Sequence, residues 1–514
     1  MSKRFWRCFE VAALCLILAL AAYLRLANVA DNPGWYTDEG THLDIAQNLA
    51  DGRVQYLAIN QSTLLFAKLP LFELLLAGLL GAFGGGIGTL RALTGTLGVV
   101  TVGLLYWVVR RTQRGRDSAL ALLSALMLAI YPQAVIYSRF GFSYNLLAPL
   151  VLVTILGCWE YLCTARRPWL VLAALAIGLG GVSDLWMFVM AVPTALVVLR
   201  RNWRDLLWSL PLIAVPFSLY AGVMLVTVPA PFLFDLGFTM FRLNALPLRA
   251  QIQTLATNYA VLVFQEAWIG LGLVGLFLLR PIRLRRLSLL MFLLPIATLG
   301  RTVALYSLGF YYTIPLLPVV GLGLGALLRY GVPHAWHAIH AVVAMYGSPS
   351  AFLVRTCAGL VALLVVAAPF AISLSLTVEQ VQNGFRTQID PFLLEPEHTR
   401  QVAAFINNHT TDDSLVIASP TLVWLLQSNA ADPQLAIAAT GQPTPGLPGD
   451  IPADRFAFDP SYTQAQFIVE DNLGRAMAGS IPGTAEMARQ LETWSLVLTA
   501  GEIRVYCNPA YCNE

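Results

Sequence analysis

The stretch Asp31-Asn-Pro-Gly-Trp-Tyr-Thr-Asp-Glu-Gly-Thr-His42 is the densest polar island in the otherwise apolar first three-quarters of the chain. It follows an apolar run over roughly 8–28, which is itself preceded by Lys3, Arg4 and Arg7. About 20 apolar residues suffice to cross a bilayer, and basic flanks stay on the cytoplasmic side. The chain is therefore expected to begin in the cytoplasm, cross once and expose the island on the outer face. A cleaved signal peptide fits less well, because Arg25 interrupts the end of the run and no small-x-small site follows cleanly. Within the island Asp38 and Glu39 are adjacent, and Asp44, Gln47, Asn48 and Asp51 continue a helical pattern ending at Gly52. Thr37 can cap that helix, and acids suit its first turn. A capped surface helix is thus the plain alternative to an acidic site.

The composition agrees with a membrane setting. Of 514 residues, 57% are hydrophobic and 12% charged, against about 25% charged in soluble domains. A disordered chain, a disulfide-rich secreted scaffold and an ordinary cytosolic enzyme are excluded. The net charge of +3 conceals an asymmetry: residues 1–376 carry 26 Lys+Arg and 13 Asp+Glu, and residues 377–514 carry 6 and 16. That change marks an expected boundary between a membrane module, 1–376, and a second domain, 377–514. The arginines come in short clusters between apolar runs, which is the pattern of membrane flanks and not of nucleic-acid binding.

Those clusters set the topology. If Arg110, Arg111, Arg114 and Arg116 are cytoplasmic, an even number of crossings separates them from the N-terminus. The run 69–84, short and containing Pro70 and Glu73, then lies on the outer surface, and 90–109 returns. The same parity predicts crossings at 117–136, 145–163, two abbreviated helices within 169–199 meeting near Ser183 and Asp184, 206–227, 261–279, 286–300, 310–328 and 351–376. The fold class expected is mainly α and polytopic, with about eleven membrane helices and two outer loops at 30–89 and 228–260. A small extracytoplasmic α/β domain closes the chain. Its strand-like runs are Ser414–Ala418, Ala465–Val469 and Glu502–Tyr506, its helical patterns lie near 397–408 and 484–493, and 440–460 reads as a long loop. Cys507 and Cys512 can pair in an oxidising outer compartment. His334, His337 and His340 recur every three residues without a carboxylate or Cys, so they read as one face of a surface helix and not as a metal site.

Taken in order, Arg25, Asn32-Pro33, Asp38-Glu39, Gly52, Lys68-Leu-Pro70-Leu, Gly84, Arg91 and Arg110-Arg111 resemble the C-type membrane glycosyltransferases. Within them, the protein O-mannosyltransferase and aminoarabinose-transferase-like group is the nearest in layout. Ser138-Arg139 after Tyr137 and the run Tyr311-Tyr312-x-x-Pro315-x-x-Pro318 are similar to that group too. The resemblance implies a polyprenyl-phosphate-linked sugar donor and a catalytic acid in the first outer loop. It puts Asp38 at the base position and Glu39 at the neighbouring acidic one. His42 stands where the family usually has Tyr, and Asn145 where relatives have an Asp, which departs from a two-carboxylate site. It also implies a multi-pass cell-membrane protein whose partners are membrane lipid, the lipid-linked donor and a protein, lipid or glycan acceptor. No cofactor is implied beyond the donor, and nothing in the sequence supports a divalent metal.

Elementary chemistry reaches a compatible reading. A sugar on a polyprenyl phosphate carries a good leaving group, so no general acid is essential, whereas the acceptor hydroxyl must lose its proton as it attacks. A carboxylate in hydrogen-bond reach does this, and direct displacement inverts the anomeric centre. The departing phosphate needs a cation in a water-poor site; Lys68, Arg139, Arg242, Arg249 and Arg301 are the outer-side candidates. Lys68 equally suits a snorkelling anchor, Tyr311 and Tyr312 an aromatic belt, and Asp184 and Glu266 buried helix contacts. No Gly-rich phosphate loop follows a strand, so a soluble nucleotide sugar has no support. A transporter or flippase of a lipid-linked substrate, and a non-catalytic outer-face binding protein, stand as the other function classes.

Overall fold

The computed structural model describes residues 3–52, 69–243, 247–264, 266–301, 311–334, 336–337, 368–384, 392–444, 446–478 and 482–512. The chain is mainly helical and is an integral membrane protein. Helix α1 (Lys3–Leu26) leads through the polar island into α2 (Thr37–Ala50), followed by α3 (Pro70–Phe83) and α4 (Ile87–Thr112). Then come α5 (Ser118–Ile130), α6 (Pro132–Ser138), α7 (Tyr144–Thr164) and α8 (Arg167–Gly181). Among the described residues five helices are long and apolar enough to cross a membrane, or seven if each of two bent pairs is one span. One bent pair is α5 with α6, which turns by 60° where Pro132 opens the second piece.

The segments expected as separate crossings are not all separately delimited. Leu185–Thr227 is one helical run of 43 residues, joined through a tight turn at Trp203–Asp205, so the arginines at 200–204 end one apolar piece and the next starts at once. Pro70–Phe83 is a short apolar helix of 14 residues, as expected for the run at 69–84. Much of the expected crossing at 351–376 lies outside the described residues, as does His340. Ile17, Val102, Leu128, Val151 and Ile177, all buried, tie these helices into one core.

Residues 415–507 contribute a five-stranded sheet in the order β2-β1-β3-β5-β4. Its strands are β1 (Leu415–Ile417), β2 (Asn429–Ala431), β3 (Phe467–Glu470), β4 (Ser495–Ala500) and β5 (Ile503–Cys507). The first three run parallel, and β5 and β4 are antiparallel. Alternate residues face opposite sides: Val416, Phe467 and Val505 pack on Val402 and Ile406 of the helix Pro396–His409. Ile417 and Ile468 pack on Leu435 and Leu491 on the other face. The three strand-like runs of the sequence are β1, β3 and β5. Cys507 and Cys512 form a disulfide.

Candidate active site

Helix α2 begins at Thr37 with Tyr36 as its N-cap, one residue earlier than a Thr37 cap would place it. The cap is supplied by Glu39, whose Oε2 accepts the Tyr36 N–H at 3.0 Å. The helical turn advances about 100° per residue, so Asp38 and Glu39, adjacent in sequence, leave the helix in different directions.

Glu39 is fully buried and faces Arg91 at the start of α4. Arg91 Nε donates to Oε1 at 2.7 Å and Nη2 to Oε2 at 2.6 Å. The Gly141 N–H adds a third bond to Oε1 at 2.8 Å. Arg91 donates its remaining hydrogens to the carbonyls of Val29, Pro33 and Gly34 at 3.0, 2.7 and 2.9 Å. A bidentate pair with every donor satisfied meets the condition under which a buried ion pair is tolerated. It pins the start of α2, α4 and the turn after α6 to one point. Sequence reasoning registered Arg91 only as part of the family layout; an isolated arginine at the outer start of an apolar helix was the available signal.

Asp38 is half-buried. It lies close enough to the hydroxyls of Tyr144 and Tyr311 to act on both through space, and Asp184 acts on Tyr144 as well. Tyr36, Phe140, Phe142, Tyr311 and Ile314 form a buried cluster beside it, joined by Tyr144 and Tyr312. The Phe142 and Tyr311 rings stack at 5.4 Å, and Tyr311 and Tyr312 lie 4.4 Å apart. Tyr311 is buried and Tyr312 half-buried within this cluster. Asp184, expected as a plain helix contact, is brought to the same cluster as Asp38.

Three other predicted residues are engaged with the protein itself. Arg139 is buried and donates to the carbonyls of Leu24, Ala27 and Asn32, holding the frayed end of α1. Asn145 is buried and donates to the carbonyls of Tyr137 and Phe142 at 3.0 and 3.1 Å, closing the turn between α6 and α7. His42 Nδ1 lies 2.7 Å from Glu73 Oε1, both residues 1% exposed. The second Glu73 oxygen is buried with no hydrogen-bond partner among the described residues. Arg249 and Arg301 are exposed. Lys68, one of the expected cations, lies outside the described residues, and for Arg242 only its place in the helix Pro229–Leu243 is described. Among the described residues no three His, Cys, Asp or Glu side chains come together as a metal-binding group.

The C-terminal part roofs this site. Trp35 and Leu394 exchange backbone hydrogen bonds at 2.8 and 3.0 Å, and Trp424 packs on Trp35 with ring centroids 5.6 Å apart. Arg400 lies over the Trp35 ring and pairs with Asp31. Arg455 makes a buried ion pair with Asp235, at 3.2 Å to each oxygen, tying the helix Pro229–Leu243 into the same assembly. The closest approach is at Gly40, where a Cβ would stand 1.8 Å from the Pro420 carbonyl oxygen. Both sides of that contact are backbone, so neither can yield alone. Gly40→Ala is expected to push the roof off α2 and cost about 1–3 kcal/mol or more, the usual penalty of overpacking. Gly88→Ala, whose Cβ would meet only Ala30 at an ordinary 3.6 Å, is the near-neutral control; melting temperature and protease sensitivity of residues 392–512 report the difference.

The same contact buries Asp44. Desolvation, with the Asp432 charge adding to it and Asn48 opposing, pushes the Asp44 carboxyl up to about 7. A carboxyl raised in the folded state is held neutral there, so its contribution is complete below the ordinary carboxyl range. That contribution is lost as pH rises to about 7. Asp44→Asn is expected to raise the melting temperature, by more at pH 8 than at pH 5.

Compared with solved structures, the chain matches ArnT from Cupriavidus metallidurans in the apo state over 99% of both chains, with a TM-score of 0.64 at 16% identity. It matches the same protein bound to undecaprenyl phosphate over 99% of both, at 0.60 and 15%. It also matches the archaeal oligosaccharyltransferase AglB from Archaeoglobus fulgidus, in complex with an inhibitory peptide and a dolichol-phosphate. That match covers 100% of this chain and 75% of that one, at 0.54 and 14% identity. All are C-type glycosyltransferases, and the chain shares their fold. No family model and no curated sequence matches.

Proposed function

We propose that this chain is an inverting membrane glycosyltransferase that moves a sugar from a polyprenyl-phosphate donor to an acceptor hydroxyl on the extracytoplasmic face. The observation that carries the reading is the setting of Asp38. It is a half-buried carboxylate on a rigidly pinned helix start, beside a buried aromatic cluster. The fold shared with ArnT, bound to undecaprenyl phosphate in one structure, and with AglB, bound to a dolichol-phosphate, supports a lipid-linked donor.

In this reading Asp38 accepts the proton of the attacking hydroxyl, and the anomeric carbon–oxygen bond to phosphate breaks on the opposite side. Glu39 is a positioning residue: with both oxygens held by Arg91, Tyr36 and Gly141 it fixes the start of α2. The charge on the departing phosphate falls to Lys68, Arg242, Arg249 or Arg301, since Arg139 is engaged with the end of α1. The chain crosses the membrane about eleven times, N-terminus inside, with residues 377–514 as an extracytoplasmic domain over the acceptor side.

The test is reconstitution in proteoliposomes with a radiolabelled polyprenyl-phosphate sugar. Transfer of label to a water-soluble or lipid acceptor, with inverted anomeric configuration, is the expected result. Translocation of intact donor without transfer would replace this reading with a lipid-linked-substrate transporter.

A further inference from the structure

The sheet has two ends, and one of them meets the membrane module at α2. The carboxyl end of β1 runs through Ser419 into Pro420, which sits on Gly40. At the other end, where β1, β2 and β3 begin, a cavity opens to solvent with an accessible volume of about 430 Å³. That volume falls within the range of roughly 300–1,000 Å³ typical of small-molecule sites. The disulfide from Cys507 to Cys512 closes the loop that brings Tyr511 to its rim.

The lining is selective in its chemistry. Asp413 and Asp459 supply carboxylates, Asn429 and Gln466 supply amides, and Phe458 and Tyr511 supply rings, with Tyr511 55% exposed. Several of these groups are already oriented. Asp459 accepts from the Ser461 N–H and from Gln464 Nε2 at 3.0 and 3.1 Å. Gln466 Nε2 donates to the His409 carbonyl at 2.9 Å, which leaves its amide oxygen as an acceptor toward a ligand. No Lys or Arg is among the lining residues, so two carboxylates repel any phosphate or acidic ligand. What fits is a neutral molecule with many hydroxyl groups, each able to donate to a carboxylate and accept from an amide, and with an apolar C–H face to lie on an exposed ring.

We propose that this cavity is a binding site for a neutral saccharide, separate from the Asp38 site and on the opposite end of the sheet. It holds a glycan segment at a distance from the reacting centre, as a second point of attachment for a long acceptor or product chain. The binding claim stands whether or not Asp38 is a catalytic base.

The experiment uses the full chain in lipid nanodiscs, because a maltoside micelle would itself present sugar. Neutral gluco-, manno- and galacto-configured trisaccharides are probed by saturation-transfer NMR, alongside a sialylated trisaccharide and inorganic phosphate. At least one neutral trisaccharide is expected to bind. Asp413→Ala and Tyr511→Ala are each expected to weaken it tenfold or more without lowering the melting temperature. Both residues are exposed, so loss of fold is read directly from the melting curve, and Gln464→Ala, which removes a lining amide together with its hydrogen bond to Asp459, provides a third variant. Three results would overturn the proposal: no neutral trisaccharide binds, phosphate or the acidic sugar binds better, or the neutral sugar binds equally well to all three variants.

Discussion

Asp38→Asn is expected to lower sugar transfer by about 10²–10⁴-fold, the range that general-base catalysis contributes, while leaving the chain inserted and folded. Asparagine has the same shape but cannot take a proton. Its structural cost is the lost favourable interaction of an acid with a helix N-terminus, about 0.3–1 kcal/mol. Since Glu39 and not Asp38 supplies the cap to Tyr36, the helix start survives the substitution. The measurement is initial rate in the proteoliposome assay, paired with a melting curve; a wild-type rate in a folded variant would remove Asp38 from the base position. Donor binding is expected to change little, so the loss falls on turnover.

Arg91→Lys is expected to be more damaging to the fold than any other single change considered. Lysine keeps the charge but offers three donors from one point, where the guanidinium of Arg91 presents a planar fork to Glu39 and to three carbonyls. The variant leaves buried carbonyls and a carboxylate short of partners. Breaking a buried pair costs about 3–5 kcal/mol, and here the loss also releases the loop that positions Asp38. Low yield of monodisperse protein and a lowered melting temperature are the readouts. Glu39→Gln is expected to weaken the same point less, since an amide oxygen can still accept from Arg91. A stable, active Arg91→Lys protein would show that the pin is dispensable.

The architecture was legible to the extent that charge marks sides of a membrane. Arginine clusters announced the ends of α4 and α7, and the run at 69–84 read as a short helix because Pro70 and Gly84 bound it. The close succession of helical pieces within Leu185–Thr227 was not legible, since the arginines at 200–204 read as a boundary between separate segments and the turn at Trp203–Asp205 joins them directly. In the sheet, β2 is Asn-Ala-Ala and has no β-branched residue, so nothing in its sequence announced a strand. Ser495–Ala500 alternates well enough to have been found. At the site, Asp38 and Glu39 are adjacent in sequence, and helix geometry turns Glu39 toward Arg91 and Asp38 away from it, which adjacency alone does not reveal. Arg139 read as a cation for substrate, but its neighbours in space are carbonyls from a helix end more than 100 residues earlier. Gly40 could not be read at all, because its need for space arises from Pro420, far along the chain.

That last distance bears on how the molecule is made. Strung along the chain, the parts that shape the start of α2 emerge in sequence: Glu39 first, then Arg91, then Gly141, then Leu394 and Pro420. During synthesis the start of α2 therefore waits, lacking its pin until α4 has been made and its roof until the last quarter of the chain has emerged. The surroundings of Asp38 are accordingly completed late, when the final segment closes over the loop that was made first.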